Sequence, residues 1–238
     1  MKLVYGIVII AAIAIFLFTG CASSKKMQAL ESDNERISSE KAALQEKLDQ
    51  AHAKIAEQEQ QIAILQAKQE QEIAALKQTY ESLVSELQKE IKSGKVQIKQ
   101  VKDRVQLTIA EQLFFDTGRA EIKPEGQAVL RRIGPILKKI PGKNVRVEGH
   151  TDNVPIGPSL RAQYPTNWEL GAVRAVNVVR FFQKESGIDP LRMSAVSYGP
   201  YRPVASNKSE EGRAKNRRIE IILIDRDLDL AKKMKGYL

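Results

Sequence analysis

Apolar positions follow three rhythms along this chain. The first is a solid run, Leu3 to Phe18, free of charge and preceded by Lys2. The second is a heptad: Leu30, Ile37, Leu44 and Ala51 recur seven apart, and Leu48, Ile55 and Ile62 form a second row four residues further along. That is the a/d seam of a coiled coil. The frame then slips by four residues and resumes at Ile73, Leu76, Tyr80, Leu83 and Leu87, which reads as a stutter. Beyond Gly94 the rhythm changes again, to short alternating stretches and 3.6-period stretches in turn.

The heptad region, 24–92, contains no Gly or Pro and holds eleven Gln. Helical throughout, it would span about 100 Å. Asn34 and Lys41 fall at core positions, where polar side chains fix register and lower stability. A lone helix would leave its apolar stripe in water, so a homo-oligomer through the coil is expected; the alternative is one exposed helix without a partner. Ser93-Gly94 ends the helix and opens a linker, 93–103.

The last region predicts an α/β fold on one mixed sheet. Val105, Leu107 and Ile109 alternate as a strand, and Pro124 opens a helix through Leu137 that Gly134-Pro135 is expected to disturb. Val145 and Val147 mark a short strand. Asn167 is placed to cap a long helix carrying Leu170, Val173, Val176, Val179 and Phe182. Strands at Met193–Tyr198 and Arg218–Ile224, with a short helix near Glu210–Lys215, complete a domain at 104–225. A tail follows at 226–238, acidic at its start and basic at its end.

Charge sharpens this division. The net charge is +9, but residues 95–238 carry +11 and residues 1–94 carry −2. A basic domain suggests an anionic partner, though the charges are scattered rather than massed as for nucleic acid. One cysteine and two histidines exclude a disulfide framework and a Cys/His zinc cluster.

The cysteine sits where the apolar run ends. Phe16, Leu17 and Phe18 are followed by Thr19, Gly20 and Cys21. This junction resembles a bacterial lipoprotein signal, with residues 1–20 removed and Cys21 lipidated at the head of 21–23; Phe18 stands where that signal more often has Leu. The alternative is an uncleaved membrane anchor. Two or more acyl chains hold stably, each buried methylene contributing about 0.8 kcal/mol. Either way the remainder lies outside the cytoplasm, and Ala22 rather than Asp after the cysteine favours, by resemblance to lipoproteins, the outer membrane.

Four motifs then occur in order: Phe115-Asp116; Gly149-His150-Thr151-Asp152; Asn167-Trp168-Glu169-Leu170-Gly171-Ala172-Val173-Arg174-Ala175; and Asn216-Arg217-Arg218-Ile219-Glu220. Together they resemble the OmpA-like peptidoglycan-binding domain family, which includes the peptidoglycan-associated lipoprotein and the C-terminal part of MotB. The resemblance covers about Val105 to Ile224. Gly171 stands where the family commonly has Ser, and the Pro-rich stretch 153–166 is closer to the MotB-like branch.

The resemblance implies binding of peptidoglycan through the diaminopimelate group of its stem peptide, which carries an ammonium and a carboxylate on one carbon. Asp152 would accept from the ammonium, and Arg174 would grip the carboxylate with a forked pair of bonds. Supporting contacts are implied for Thr151, Asn167, Leu170 and Arg217, and for backbone near Phe115 and Asp116. Read as residues alone, Asp152 and Arg174 could instead pair with each other, Leu170 could be core, Trp168 could be a half-buried residue at the start of its helix, and at most one of Arg217 and Arg218 would reach a ligand.

No cofactor is implied. A hydrolase would need a nucleophile with a base, paired acids or a metal; no G-x-S-x-G elbow is present, and His52 lies in the coil. A stator of an ion-driven motor would need an ionisable group in its span, and Leu3–Phe18 has none. The reading that remains is a lipid-anchored, non-catalytic tether between outer membrane and cell wall.

Overall fold

The computed structural model describes residues 2–101 and 104–226, with side chains at 24–100 and 104–226. The apolar run, Cys21 and the tail beyond Arg226 therefore lie outside the described side chains. Among the described residues no helix is long and apolar enough to cross a membrane.

The chain divides into two units, Met1–Gln66 and Ala67–Leu238. The first is helical, belonging to α1 (Lys2–Glu86). Along it Leu30, Ile37, Leu44, Leu48, Ile55 and Ile62 are 48–65% exposed, so the seam has nothing over it in the single chain.

The second unit opens with the last turns of α1, and here the expected coil to residue 92 needs correction. Leu76, Leu83 and Leu87 are buried in the core of the domain, with Tyr80 packed against it. A stripe at helical spacing records only that something covers it; after the stutter the cover is the domain. Arg132 donates from Nη1 to the Glu86 carbonyl at 2.7 Å, satisfying a helix-end acceptor, and pairs with Glu90. A short α2 (Gln88–Lys92) ends at Gly94, whose φ of +69° closes the turn.

The expected linker also needs correction, because it contains a strand. β1 (Val96–Val101) pairs antiparallel with β2 (Arg104–Ala110), Val96 opposite Ile109. Its polar positions, Gln97, Lys99 and Gln100, conceal it in the composition, while Val96 is buried. After α3 (Glu111–Phe114) and α4 (Pro124–Lys139) come β3 (Lys143–His150), α5 (Asn167–Phe181), β4 (Met193–Gly199), α6 (Glu210–Asn216) and β5 (Arg218–Asp225). The sheet order is β1-β2-β5-β3-β4, antiparallel except for β3 beside β4, which α5 connects.

α4 is not broken at Gly134-Pro135. Pro135 lies on the exposed side, where water can serve the carbonyl it leaves unbonded, while Val129, Leu130, Ile133 and Leu137 hold the helix to the core. α5 approaches β3 closely: a Cβ on Gly149 would stand 2.1 Å from the Gly171 carbonyl oxygen, and one on Gly171 would stand 2.4 Å from Ser197 Oγ. Gly171, the departure from the family's Ser, is thus where the helix seats on the sheet. This contact sets Asp152, two residues past β3, beside the first turns of α5.

Candidate functional site

The start of α5 is fixed by a capping box on Thr166, not by Asn167. Trp168 N donates to Thr166 Oγ1 at 3.1 Å, and Glu169 Oε2 accepts from Thr166 N at 2.8 Å. These bonds to Thr166 hold the Glu169 carboxyl below its ordinary range. Asn167 is thereby released for a different role. Its amide donates to the carbonyls of Val154, at 2.9 Å, and Asp152, at 3.4 Å, and so ties the Pro-rich loop to the helix.

Asp152 is itself held at both oxygens. Oδ1 accepts from Val154 N at 3.0 Å, and Oδ2 accepts from Arg217 Nη1 at 2.6 Å. Beside it Thr151 is buried, its N–H donating to the Gly199 carbonyl at 3.0 Å and its hydroxyl to the Asp152 carbonyl at 2.9 Å. Arg174 is also buried; Nε donates to the Arg119 carbonyl at 2.9 Å, and the guanidinium lies 5.0 Å from the Phe115 ring centroid. Its ionic partner is not Asp152 but Glu111, at 2.5 Å from Nη2.

Glu111 links the two halves. Its Oε2 lies 3.5 Å from Arg217 Nε, so charges alternate along Arg174, Glu111, Arg217 and Asp152, and Arg217 also donates to Glu210 at 2.7 Å. Burial pushes the Glu111 carboxyl above its ordinary range, while the two guanidiniums pull it back. Burial likewise lowers Arg174, against the pull of Glu111. For Arg217 burial is the largest single influence and lowers it, yet the bonds to Asp152 and Glu210 together win and raise it.

These groups line a cleft of about 460 Å³. Of the residues singled out in the sequence, Phe115, Thr151, Asp152, Asn167, Leu170, Arg174 and Arg217 line it. Leu170 also packs with Ala120 and Tyr164, so it is both wall and small core. Asp116 does not line the cleft: its carboxylate is turned outward, 3.8 Å from Lys123 Nζ. Arg218 points to another environment, donating to Glu220 at 2.6 Å. Two charged lining residues, Glu111 and Glu210, were not singled out. Glu111 meets partners 63 and 106 positions away, and Glu210 enters only through the reach of Arg217. The one sequence signal for Glu111 is an acid set directly after an apolar strand and before Leu113-Phe114-Phe115.

A second polar cluster lies away from the cleft. Glu148, His150 and Glu220 are buried with one ligand atom each within 4.8 Å of one another, the one such group among the described residues. Gln106 and Arg218 already engage Glu220, and Arg146 lies 3.9 Å from Glu148. The carboxylates thus have cationic partners from the protein.

Comparison with known proteins bears on the domain as a whole. Residues 114–217 match the OmpA family. Motility protein B of Bacillus subtilis (strain 168) is 38% identical over 146 residues, covering 60% of this chain and 55% of that protein. Outer membrane porin F of Pseudomonas fluorescens is 39% identical over 106 residues, covering 44% of this chain and 30% of that protein. The chain therefore spans about half, or less, of the length of these curated relatives. Among solved structures, the cell wall anchor of the T6SS from Pseudomonas aeruginosa is 37% identical with a TM-score of 0.55, covering 60% of this chain and 97% of that one. Sequence motifs and these matches together identify residues 114–217 as an OmpA-family domain.

Proposed function

We propose that this chain is a non-catalytic, peptidoglycan-binding lipoprotein that tethers the outer membrane to the cell wall. Cys21 carries the lipid anchor, the heptad region self-associates as a spacer, and the OmpA-family domain grips the diaminopimelate group of the stem peptide. The observation that carries this reading is the cleft itself. An acid held by its neighbours, Asp152, and a buried guanidinium, Arg174, open on one cavity without neutralising each other. Such a pair suits a carbon bearing both an ammonium and a carboxylate. Two or three heads presented together would add weak affinities through effective concentration.

The test is co-sedimentation of the full chain, in detergent, with purified sacculi. Asp152→Ala and Arg174→Ala are each expected to abolish it while a cooperative melting transition persists, lowered in Arg174→Ala because the buried Glu111 loses its partner. Undiminished sedimentation of both would refute the site.

The likeness to Motility protein B favours a second reading, an inner-membrane-anchored, stator-like subunit. An ion-conducting span needs an ionisable side chain, and Leu3–Phe18 has none. Mass spectrometry of the mature N-terminus separates the two: a diacylated or triacylated Cys21 supports the tether, and an intact Met1 supports the second reading.

A further inference from the structure

We propose that Glu111 is a positioning residue that makes the cleft select a zwitterion over a simple anion. The inference rests on the reading above that Asp152 and Arg174 hold the two charged groups of the ligand.

Three features set Glu111 apart. Its backbone N–H donates to the Arg217 carbonyl at 3.0 Å, and its carboxylate reaches both arginines of the cleft. One contact therefore fixes the guanidinium meant for the ligand, and the other fixes the guanidinium that holds Asp152. The Oε2 atom is buried and makes no hydrogen bond among the described residues. A buried carboxylate left in that state is costly unless its charge has a use.

The use is in the charge count. Glu111, Asp152 and Glu210 face Arg174, Arg217 and Arg213, the last of which also holds Glu210, so the ionised cluster is balanced as it stands. A ligand bearing only carboxylates brings negative charge for which this balanced cluster has no spare cation. A ligand that brings an ammonium beside its carboxylate leaves the balance unchanged. Without the Glu111 charge the cluster carries one excess positive charge, Arg174 is unshared, and a bare carboxylate is attracted. Burial also raises the Glu111 carboxyl, in keeping with a charge kept at some expense.

The experiment compares two ligands on one carbon skeleton, diaminopimelate and pimelate, by calorimetry on the full chain and on Glu111→Gln. The wild type is expected to favour diaminopimelate by tenfold or more, on the order of one charge-assisted hydrogen bond. Glu111→Gln is expected to weaken diaminopimelate roughly tenfold and to strengthen pimelate, so that the ratio collapses. A ratio unchanged within about twofold overturns the inference, because a structural defect lowers both affinities together. Should Glu111→Gln fail to fold, Glu111→Asp keeps the charge but draws it back from Arg174. Both affinities then fall with the ratio kept, and a collapsed ratio there overturns the inference. A wild type that ignores diaminopimelate overturns the parent reading instead.

Discussion

Arg217 donates to Asp152 across 2.6 Å, so the acidic half of the cleft is held by a cation before any ligand arrives. Asp152 and Arg174 do not touch; Glu111 and Arg217 stand between them as an alternating chain. On the proposed reading, a ligand ammonium would join Asp152 at an oxygen already bonded rather than at a bare one. A carboxylate has about four lone-pair sites, so Asp152 can accept from both. Arg217→Ala is expected to leave Asp152 turned loose and to weaken diaminopimelate about tenfold, since hydrogen bonds to charged groups contribute about 1.5–3 kcal/mol. Arg217→Lys should recover part of that affinity, having the charge but not the fork that reaches Asp152, Glu210 and Glu111 together. Equal affinities for wild type and Arg217→Ala, measured by calorimetry, would show that Arg217 is only a surface strap.

The contact of α5 with β3 yields a stability prediction with an internal control. A methyl on Gly149 meets backbone at 2.1 Å, which cannot turn aside; Gly149→Ala is expected to cost about 1–3 kcal/mol by overpacking. A methyl on Gly171 meets chiefly the Ser197 hydroxyl at 2.4 Å, which can rotate, and then the Gly149 carbonyl at 3.2 Å. Gly171→Ala should therefore cost less, and Ser197→Ala in the same chain should recover most of the loss. Thermal melts of the three variants decide it; an unrescued Gly171→Ala would place the strain elsewhere.

The sequence carried those elements whose signal is local. Alternation at Val105–Ile109 and periodicity from Leu170 to Phe182 correspond to β2 and α5, and the ordered motifs correspond to the OmpA-family domain. What it could not carry was the identity of whatever lies across a stripe. Leu48 and Leu83 belong to the same kind of pattern, yet one is 48% exposed and the other is buried in the domain. Nor could it show that Arg174 pairs with Glu111, because such pairing depends on two elements arriving at one place. Asn167 illustrates a nearer competition: Thr166, one residue earlier, has the Glu169 that completes a capping box and takes the cap.

Glu111 also predicts an unusual pH dependence. Its folded carboxyl is raised above 4.5 by burial, so between 4.5 and the folded value the folded chain binds more of this proton than the unfolded chain does. Stability attributable to this group therefore falls as pH rises through that window. Glu210 behaves oppositely: the bond from Arg217, with that from Arg213, lowers it, so its contribution is present above 4.5 and is lost as pH falls through the folded value. Subtracting the pH profile of Glu111→Gln from that of the wild type isolates the first effect. The difference in melting temperature should shrink from the wild type's favour as pH rises above 4.5. A difference that grows with pH would mean that the arginines, not burial, govern Glu111.

The two leucines of the long helix give the sharpest test of how its stripe is shared. Leu83→Ala empties space in the domain core and is expected to cost about 2–5 kcal/mol, visible as a lower melting transition of the domain. A fragment starting at Lys95 would lose Leu76, Leu83 and Leu87 from that core, so it should be less stable than one starting at Ala67. Leu48→Ala, in the first unit, should leave the domain transition untouched and weaken self-association in sedimentation at micromolar concentration. Its side chain has water to lose only if another helix covers it. A chain that is monomeric before and after Leu48→Ala would remove the spacer from the proposal and leave the wall-binding domain standing by itself, because Leu83 and the cleft belong to the second unit alone.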